Sequence, residues 1–465
     1  MTFSHPFMPN AVPAVKQAML DAIGVGTTAE LFEQIPASHR IARPLAMPPA
    51  LRSEAALERH MRERLGRNHH CEDNLSFLGG GCWQHYVPAV CREIMGRSEF
   101  LTPVWGTPSS DHGRNQAWFE FTSQLGELLD TELVGLPVYS WGCAAGHAIR
   151  MASRLTGRRE VVLPTVIDPD RLSVIRNYCE PPDMPSHIGV TSVGVDPATG
   201  LIDLAALDAA VTSQTAAIYI ENPSFFGTIE TQGEAIAALA HAKGALLIVG
   251  VDPISLGVLR PPSDYGADIV VGTTQPLGIP MSCGGGLGGF IASRDEEAIA
   301  REYPTLLVSV TGTTQPGEVG FGLSLLHQSS YGARENGKDW TGNSVYLHAI
   351  ANAVYMSLLG PAGFAELGET ILQRSHYAAR KLGEVPGLHV PLRTGFFKEF
   401  VVRYPEGCKV RDVNTALRAQ GIFGGHDLSA DFPALGQSAL FCITELHQQG
   451  DIDRLAAALT EVLAR

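Results

Sequence analysis

The feature that most constrains this chain is a series of short β-branched runs separated by segments of helical length. Val161-Val162-Leu163-Pro164, Ile218-Tyr219-Ile220, Ala245-Leu246-Leu247-Ile248-Val249 and Ile269-Val270-Val271-Gly272 are apolar throughout and bounded by turn residues, as buried strands are. Between and before them, apolar residues recur at helical spacing over 116–129, 147–155, 169–177, 204–211 and 233–243. Strands alternating with helices predict an α/β fold with a mostly parallel sheet covered on both faces. The last run leads into the turn Thr273-Thr274-Gln275-Pro276. A glycine-rich bend follows, with Gly284, Gly285, Gly286, Gly288 and Gly289, residues that permit close backbone approach.

The flanks behave differently. At 465 residues the chain exceeds the size at which one core stops growing, so a large domain plus a smaller one is expected. Residues 1–60 are broken by Pro6, Pro9 and Pro13, with a helix expected over 12–23 and a second, capped by Thr27 or Thr28, after Gly24 and Gly26. Such a proline-broken arm rarely forms a core of its own and is expected to wrap a partner subunit, with a plain surface strap as the alternative. Residues 53–66 read as a charged, solvated helix. Residues 61–325 form the expected large domain. Residues 326–465 are expected to form a small α+β domain with linking helices. Its helices are expected over 348–359 and 364–381, interrupted at Pro361, and over 413–420 and 452–463. Its strands are expected over 396–402 and 439–443. Helical spacing also extends over 317–328.

A net charge of −14 argues against nucleic acid as the main ligand. No apolar run approaches the ~20 residues that span a bilayer, and no basic segment followed by an apolar core marks a signal peptide. Eight cysteines in so long a chain suggest reduced thiols in the cytoplasm. Cys71, Cys82 and Cys91 lie too far apart for the short CxxC pairs of zinc sites, so no metal is expected.

Two loops carry the candidate site. In residues 75–88, Gly79-Gly80-Gly81 is followed by Trp83, His85 and Tyr86, a flexible backbone with convergent polar side chains such as a small-molecule site needs. A glycine hinge beside a packed His85 is the plainer alternative. Residues 102–113 form a second Pro/Gly-rich loop, long enough to be functional. Residues 139–146 read as a turn whose small residues would place a phosphate on a helix N-terminus.

Taken together, the segments resemble the glycine cleavage system P-protein family, in the form where two related chains share the enzyme. The motifs are Ser76-Phe77-Leu78-Gly79, His85-Tyr86, Arg97-Ser98-Glu99-Phe100, Asp252-Pro253-Ile254-Ser255-Leu256-Gly257, Leu358-Leu359-Gly360-Pro361 and Cys442-Ile443-Thr444-Glu445. The runs 223–230, 265–272 and 275–280 belong with them. The resemblance implies a pyridoxal-phosphate (PLP) transferase of the aspartate-aminotransferase type, fold type I. It implies that this is the first, lysine-less subunit of a glycine dehydrogenase (decarboxylating), with Gln275 standing where such enzymes carry the Schiff-base lysine. PLP would be held by a related second subunit in a heterodimer or heterotetramer, and the aminomethyl group would pass to a lipoyl carrier protein. His85 and Tyr86 are then the catalytic candidates. Ser76, Gly79, Gly80 and Arg334 would be lent to the partner's cofactor and substrate site.

The residue chemistry agrees. A Schiff-base lysine sits desolvated just after a core strand, and of the six lysines (Lys16, Lys243, Lys338, Lys381, Lys398, Lys409) only Lys338 occupies an interesting loop. Its charged neighbours favour a solvated amine. The sequence departs from the family pattern at 104–111, at Ser140-Trp141-Gly142-Cys143, at Asp168-Pro169-Asp170 and at 336–343. Two alternatives therefore stay open at this point: the same architecture retuned for another amino acid, and a non-catalytic scaffold.

Overall fold

The structure is a computed structural model describing residues 4–464 apart from 42, 44, 101–107, 285–286, 324–332, 343 and 393, with the side chains of 108–113 also undescribed. Val104, Trp105, Gly285, Gly286 and Asn343 thus lie outside the described residues, as does the side chain of Asp111. The chain divides into two units, Met1–His69 and His70–Arg465.

The first unit is a string of short elements: turns of 3-10 helix and the helices Pro13–Ile23 and Glu54–Leu65. Leu20 is its one buried residue among those described. Ser53 caps the second helix by accepting from the Ala56 N–H. Thr27 caps nothing; its hydroxyl donates to Glu30.

In the second unit the expected runs form the middle of a seven-stranded sheet. Its strands are β2 (Leu133–Val134), β3 (Glu160–Pro164), β4 (Gly189–Val193), β5 (Thr215–Glu221), β6 (Leu246–Val251), β7 (Ile269–Thr273) and β8 (Gly289–Ser293), after a short β1 (Leu75–Ser76) that lies elsewhere. The order is β2-β8-β7-β6-β5-β3-β4, with β3 through β7 parallel and β8, near one edge, antiparallel to both of its neighbours, β7 and β2. The two-residue period of a strand divides the side chains between two cores. Ile218, Ile220, Leu247, Val249 and Val270 join one. Ala217, Tyr219, Ile248, Ile269 and Val271 join the other. Both faces are covered, which is why these runs carry no polar alternation.

Residues 317–323 are not helical. β9 (Val308–Gly312) and β10 (Val319–Leu323) form an antiparallel hairpin, because Gly317 turns with φ 83° and the β-branched residues on either side favour extended backbone. The two C-terminal helical segments meet within Tyr346–Gly383 at a break, as expected, where Gly360 leaves helical geometry at φ 58° ahead of Pro361. Beyond it β11 (Glu399–Arg403), β14 (Ser438–Cys442) and β13 (His426–Asp427) form an antiparallel sheet. β1 pairs in parallel with β12 (Ile422–Phe423), and Phe77 enters the same core as Phe400, Phe441, Leu417 and Leu455. The loop that follows β1 is therefore strung between the C-terminal sheet and the large sheet.

Candidate active site

In open α/β sheets, ligands bind beyond the carboxyl ends of the strands. Three buried polar side chains stand there: Glu221 ending β5, Asp252 just after β6 and Gln275 just after β7. A PLP site of this architecture needs an amine for the Schiff base and an acidic partner for the ring nitrogen. Here all three groups are committed to protein. Arg171 donates to Glu221 at 2.6 Å and Tyr219 donates to its other oxygen at 2.8 Å. The Arg171 guanidinium lies 3.8 Å over the Trp141 ring. The Lys398 amine is 2.6 Å from the Asp252 carboxylate. Gln275 takes the Trp83 N–H at 3.1 Å and gives its amide hydrogens to the carbonyls of Trp83 and Ile279, both at 2.9 Å.

What remains open among Trp83, Trp141, Arg171, Glu221, Asp252 and Lys398 is a cavity of about 20 Å³. That volume admits about one water, whereas pockets for small ligands run to hundreds of cubic ångströms. PLP does not fit this chain's own strand-end pocket. The carboxylates there are paired with Arg171, Tyr219 and Lys398, and Trp83 and Lys398 fill the space.

The loop over this pocket contains most of the expected site residues. Ser76 lies in β1 and its carbonyl accepts from His447 Nε2 at 2.7 Å. Gly79 has no room for a side chain, since a Cβ would stand 2.1 Å from a Glu399 oxygen. Gly80, at φ 96°, donates its N–H to Glu399 at 2.6 Å. Burial pushes the Glu399 carboxyl up to about 7, against the pull of that N–H and of Trp83. His85 is enclosed, with Nδ1 2.7 Å from Glu445 and Nε2 2.9 Å from the Lys398 amine. Tyr86 follows, 62% exposed, and donates its backbone N–H to Glu445 at 2.6 Å. Burial alone would raise the Glu445 carboxyl, but His85 and the Tyr86 N–H outweigh it and hold it below the usual carboxylate range.

Arg334 is not joined to this cluster by any hydrogen bond or ion pair among the described residues; it is exposed in the turn Arg334–Asn336, at φ 54°. Lys338 is not a free amine but pairs with Glu302. Its neighbours dock the loop on the helix Trp141–Thr156: Asp339 takes Arg150 and Arg154, and Thr341 meets His147 Nε2 at 2.8 Å. Burial pushes the His147 imidazole down to about 4. That helix begins at Trp141 under a Ser140 cap, so residues 142–146 are helical and not a phosphate turn. Gly142 and Gly146 serve packing, since a Cβ on Gly146 would come within 2.6 Å of the Tyr178 ring.

Sequence reasoning missed Lys398 and Glu445. The available signal for Lys398 was its place as the one lysine in the run 396–402, among aromatic and β-branched residues.

The model of the glycine cleavage system P-protein family matches residues 8–459. The chain belongs to this family. The probable glycine dehydrogenase (decarboxylating) subunit 1 of Saccharolobus islandicus is 37% identical over 464 residues, 99% of this chain and 98% of the relative. Its counterpart from Staphylothermus marinus is 35% identical over 470 residues, at the same coverage. A crystal structure of glycine decarboxylase (P-protein) in inhibitor-bound form superposes with TM-score 0.86 at 31% identity, covering all of both chains. A sphingosine-1-phosphate lyase of Burkholderia pseudomallei, TM-score 0.64 at 16% identity, shares the fold alone. The P-protein chain is thus of PLP fold type I, and no helix among its described residues is long and apolar enough to cross a membrane.

Proposed function

We propose that this P-protein chain is the lysine-less subunit of a two-chain glycine dehydrogenase (decarboxylating), acting in the cytoplasm. In this reading a related subunit holds PLP, and the aminomethyl group left by glycine passes to a lipoyl carrier. The observation that carries the reading is Gln275: at the end of β7, where the fold's Schiff-base lysine belongs, it is buried and bonded to Trp83 and Ile279. The cofactor, which when bound supplies the electron sink for decarboxylation, must then come from another chain. The names of the relatives, subunit 1, agree with a partner.

This chain's part is to complete the partner's site. Tyr86 projects from the 76–86 loop, and Ser76, Gly79 and Gly80 fix that loop's path. His85 acts through Glu445, because both of its ring nitrogens are engaged within the chain. Arg334 is offered for a carboxylate or phosphate.

The test is CO₂ release from carboxyl-labelled amino acids by each chain alone and by the complex, with and without lipoyl protein. Release from glycine by the complex only, stimulated by the lipoyl protein, is expected. Full turnover by the partner alone would make this chain a scaffold, and preference for another amino acid would move the substrate.

A further inference from the structure

The strand-end pocket is not merely vacated; its polar groups have been joined into a line that runs to the surface. Asp252, at the mouth of β6, holds the Lys398 amine at 2.6 Å. The same amine lies 3.7 Å over the Trp83 ring and 2.9 Å from His85 Nε2. The Lys398 side chain is 1% exposed and leaves the backbone at φ 63°, a conformation uncommon for a residue with a side chain. That strained start aims it back under the loop, away from solvent.

The chemistry of the line has one solution. An ammonium group has hydrogens to give and no lone pair to accept. His85 Nε2 must therefore be the acceptor, and the ring proton must sit on Nδ1, facing Glu445 at 2.7 Å. The Nδ1–H donates to one Glu445 oxygen, and the Tyr86 N–H donates to the other at 2.6 Å. Two donors in fixed directions settle where that carboxylate lies. It is the outermost group of the line, with its side chain 16% exposed.

We infer that Lys398 is a positioning residue: filling the strand-end pocket, it holds His85 Nε2 as a bare acceptor and, with Glu445 on the other ring nitrogen, fixes the ring, Glu445 and the Tyr86 backbone at the surface that meets the partner's site. The inference rests on the proposed two-chain function for its catalytic consequence, though not for the tautomer. The remnant of a cofactor site has become the support of the loop lent to a neighbour. Gln275 works beside it, pinning Trp83 from the other side of the loop.

The test replaces the ion pair as a unit. Lys398→Met alone leaves Asp252 buried without its partner and endangers folding, so the decisive chain is the double variant Lys398→Met/Asp252→Asn. In histidine-labelled protein, ¹⁵N spectra assign the His85 ring by comparison with His85→Gln. Wild type is expected to show the proton on Nδ1 and a bare Nε2. In the double variant Nε2 no longer faces an ammonium, and its ¹⁵N signal is expected to move away from that of a bare acceptor while Nδ1–H stays on Glu445. In the complex, kcat for glycine is expected to fall by at least about tenfold through misplacement, with KM changed much less and circular dichroism unaltered. An unchanged His85 ring in the double variant would overturn the inference, and so would an altered ring with undiminished kcat. If the wild-type complex itself does not turn over glycine, the proposed function fails, and the ring spectra still decide what Lys398 does to His85.

Discussion

At the scale of single residues, this chain's own strand-end pocket does not fit PLP. Gln275 cannot form an imine, yet restoring the amine is not enough, because Trp83 and Lys398 fill the space a cofactor ring would need. Gln275→Lys is therefore expected to yield no borohydride-reducible PLP adduct, read by absorbance and by mass spectrometry of the peptide. An adduct at position 275 would show that the pocket opens. Glu399 gives a second expectation at this scale. Burial raises its carboxyl from 4.5 to about 7, so the folded chain holds a proton that the unfolded chain has released. The contribution to stability is then full below about 4.5 and is lost as pH rises through about 7, a difference of about 3 kcal/mol. Glu399→Gln keeps the acceptor for Gly80 and removes the charge. Its unfolding midpoint should be flatter with pH across that window, and higher than wild type at pH 8.

At the scale of elements, loops are held by a few close approaches. Gly79→Ala would push a Cβ into Glu399 and Cys442, and is expected to cost about 1–3 kcal/mol in a denaturant titration, with the 76–86 loop displaced. The 337–342 loop depends on Asp339, shared by Arg150 and Arg154. Asp339→Asn leaves the Arg150 guanidinium without its anion and Arg154 with Glu302 alone. A loss of about 1–3 kcal/mol is expected, together with faster hydrogen exchange confined to this loop. The helices and strands that carry these loops were legible in sequence, because apolar period marks them. The anchors were not. Nothing in the order of residues announces that Lys398 crosses to Asp252, or that residues 317–323 extend where their spacing suits a helix.

For the whole molecule the question is what covers the first unit. Residues 4–69 bury Leu20 and leave Phe7, Val15, Met19, Ile23, Ile41 and Leu65 among their exposed apolar side chains. A unit with so little core gains little from folding alone, which favours a partner subunit as the surface it packs on. Removing residues 1–69 is expected to leave the remaining chain folded, with its melting temperature nearly unchanged, while weakening assembly with the partner subunit in light scattering. Normal assembly of the shortened chain would reduce the arm to a surface strap.

The sequence alone determined the sheet, its covering helices and the absence of a Schiff-base lysine after β7, because period, length and residue type are local properties. Only the tertiary structure decided what fills the strand-end pocket. Asp252, Lys398, His85 and Glu445 come from four distant segments, and their pairing depends on how two sheets bring those segments to one strand end. Burial then sets the charges and hydrogen bonds there, and burial is a property of the folded whole.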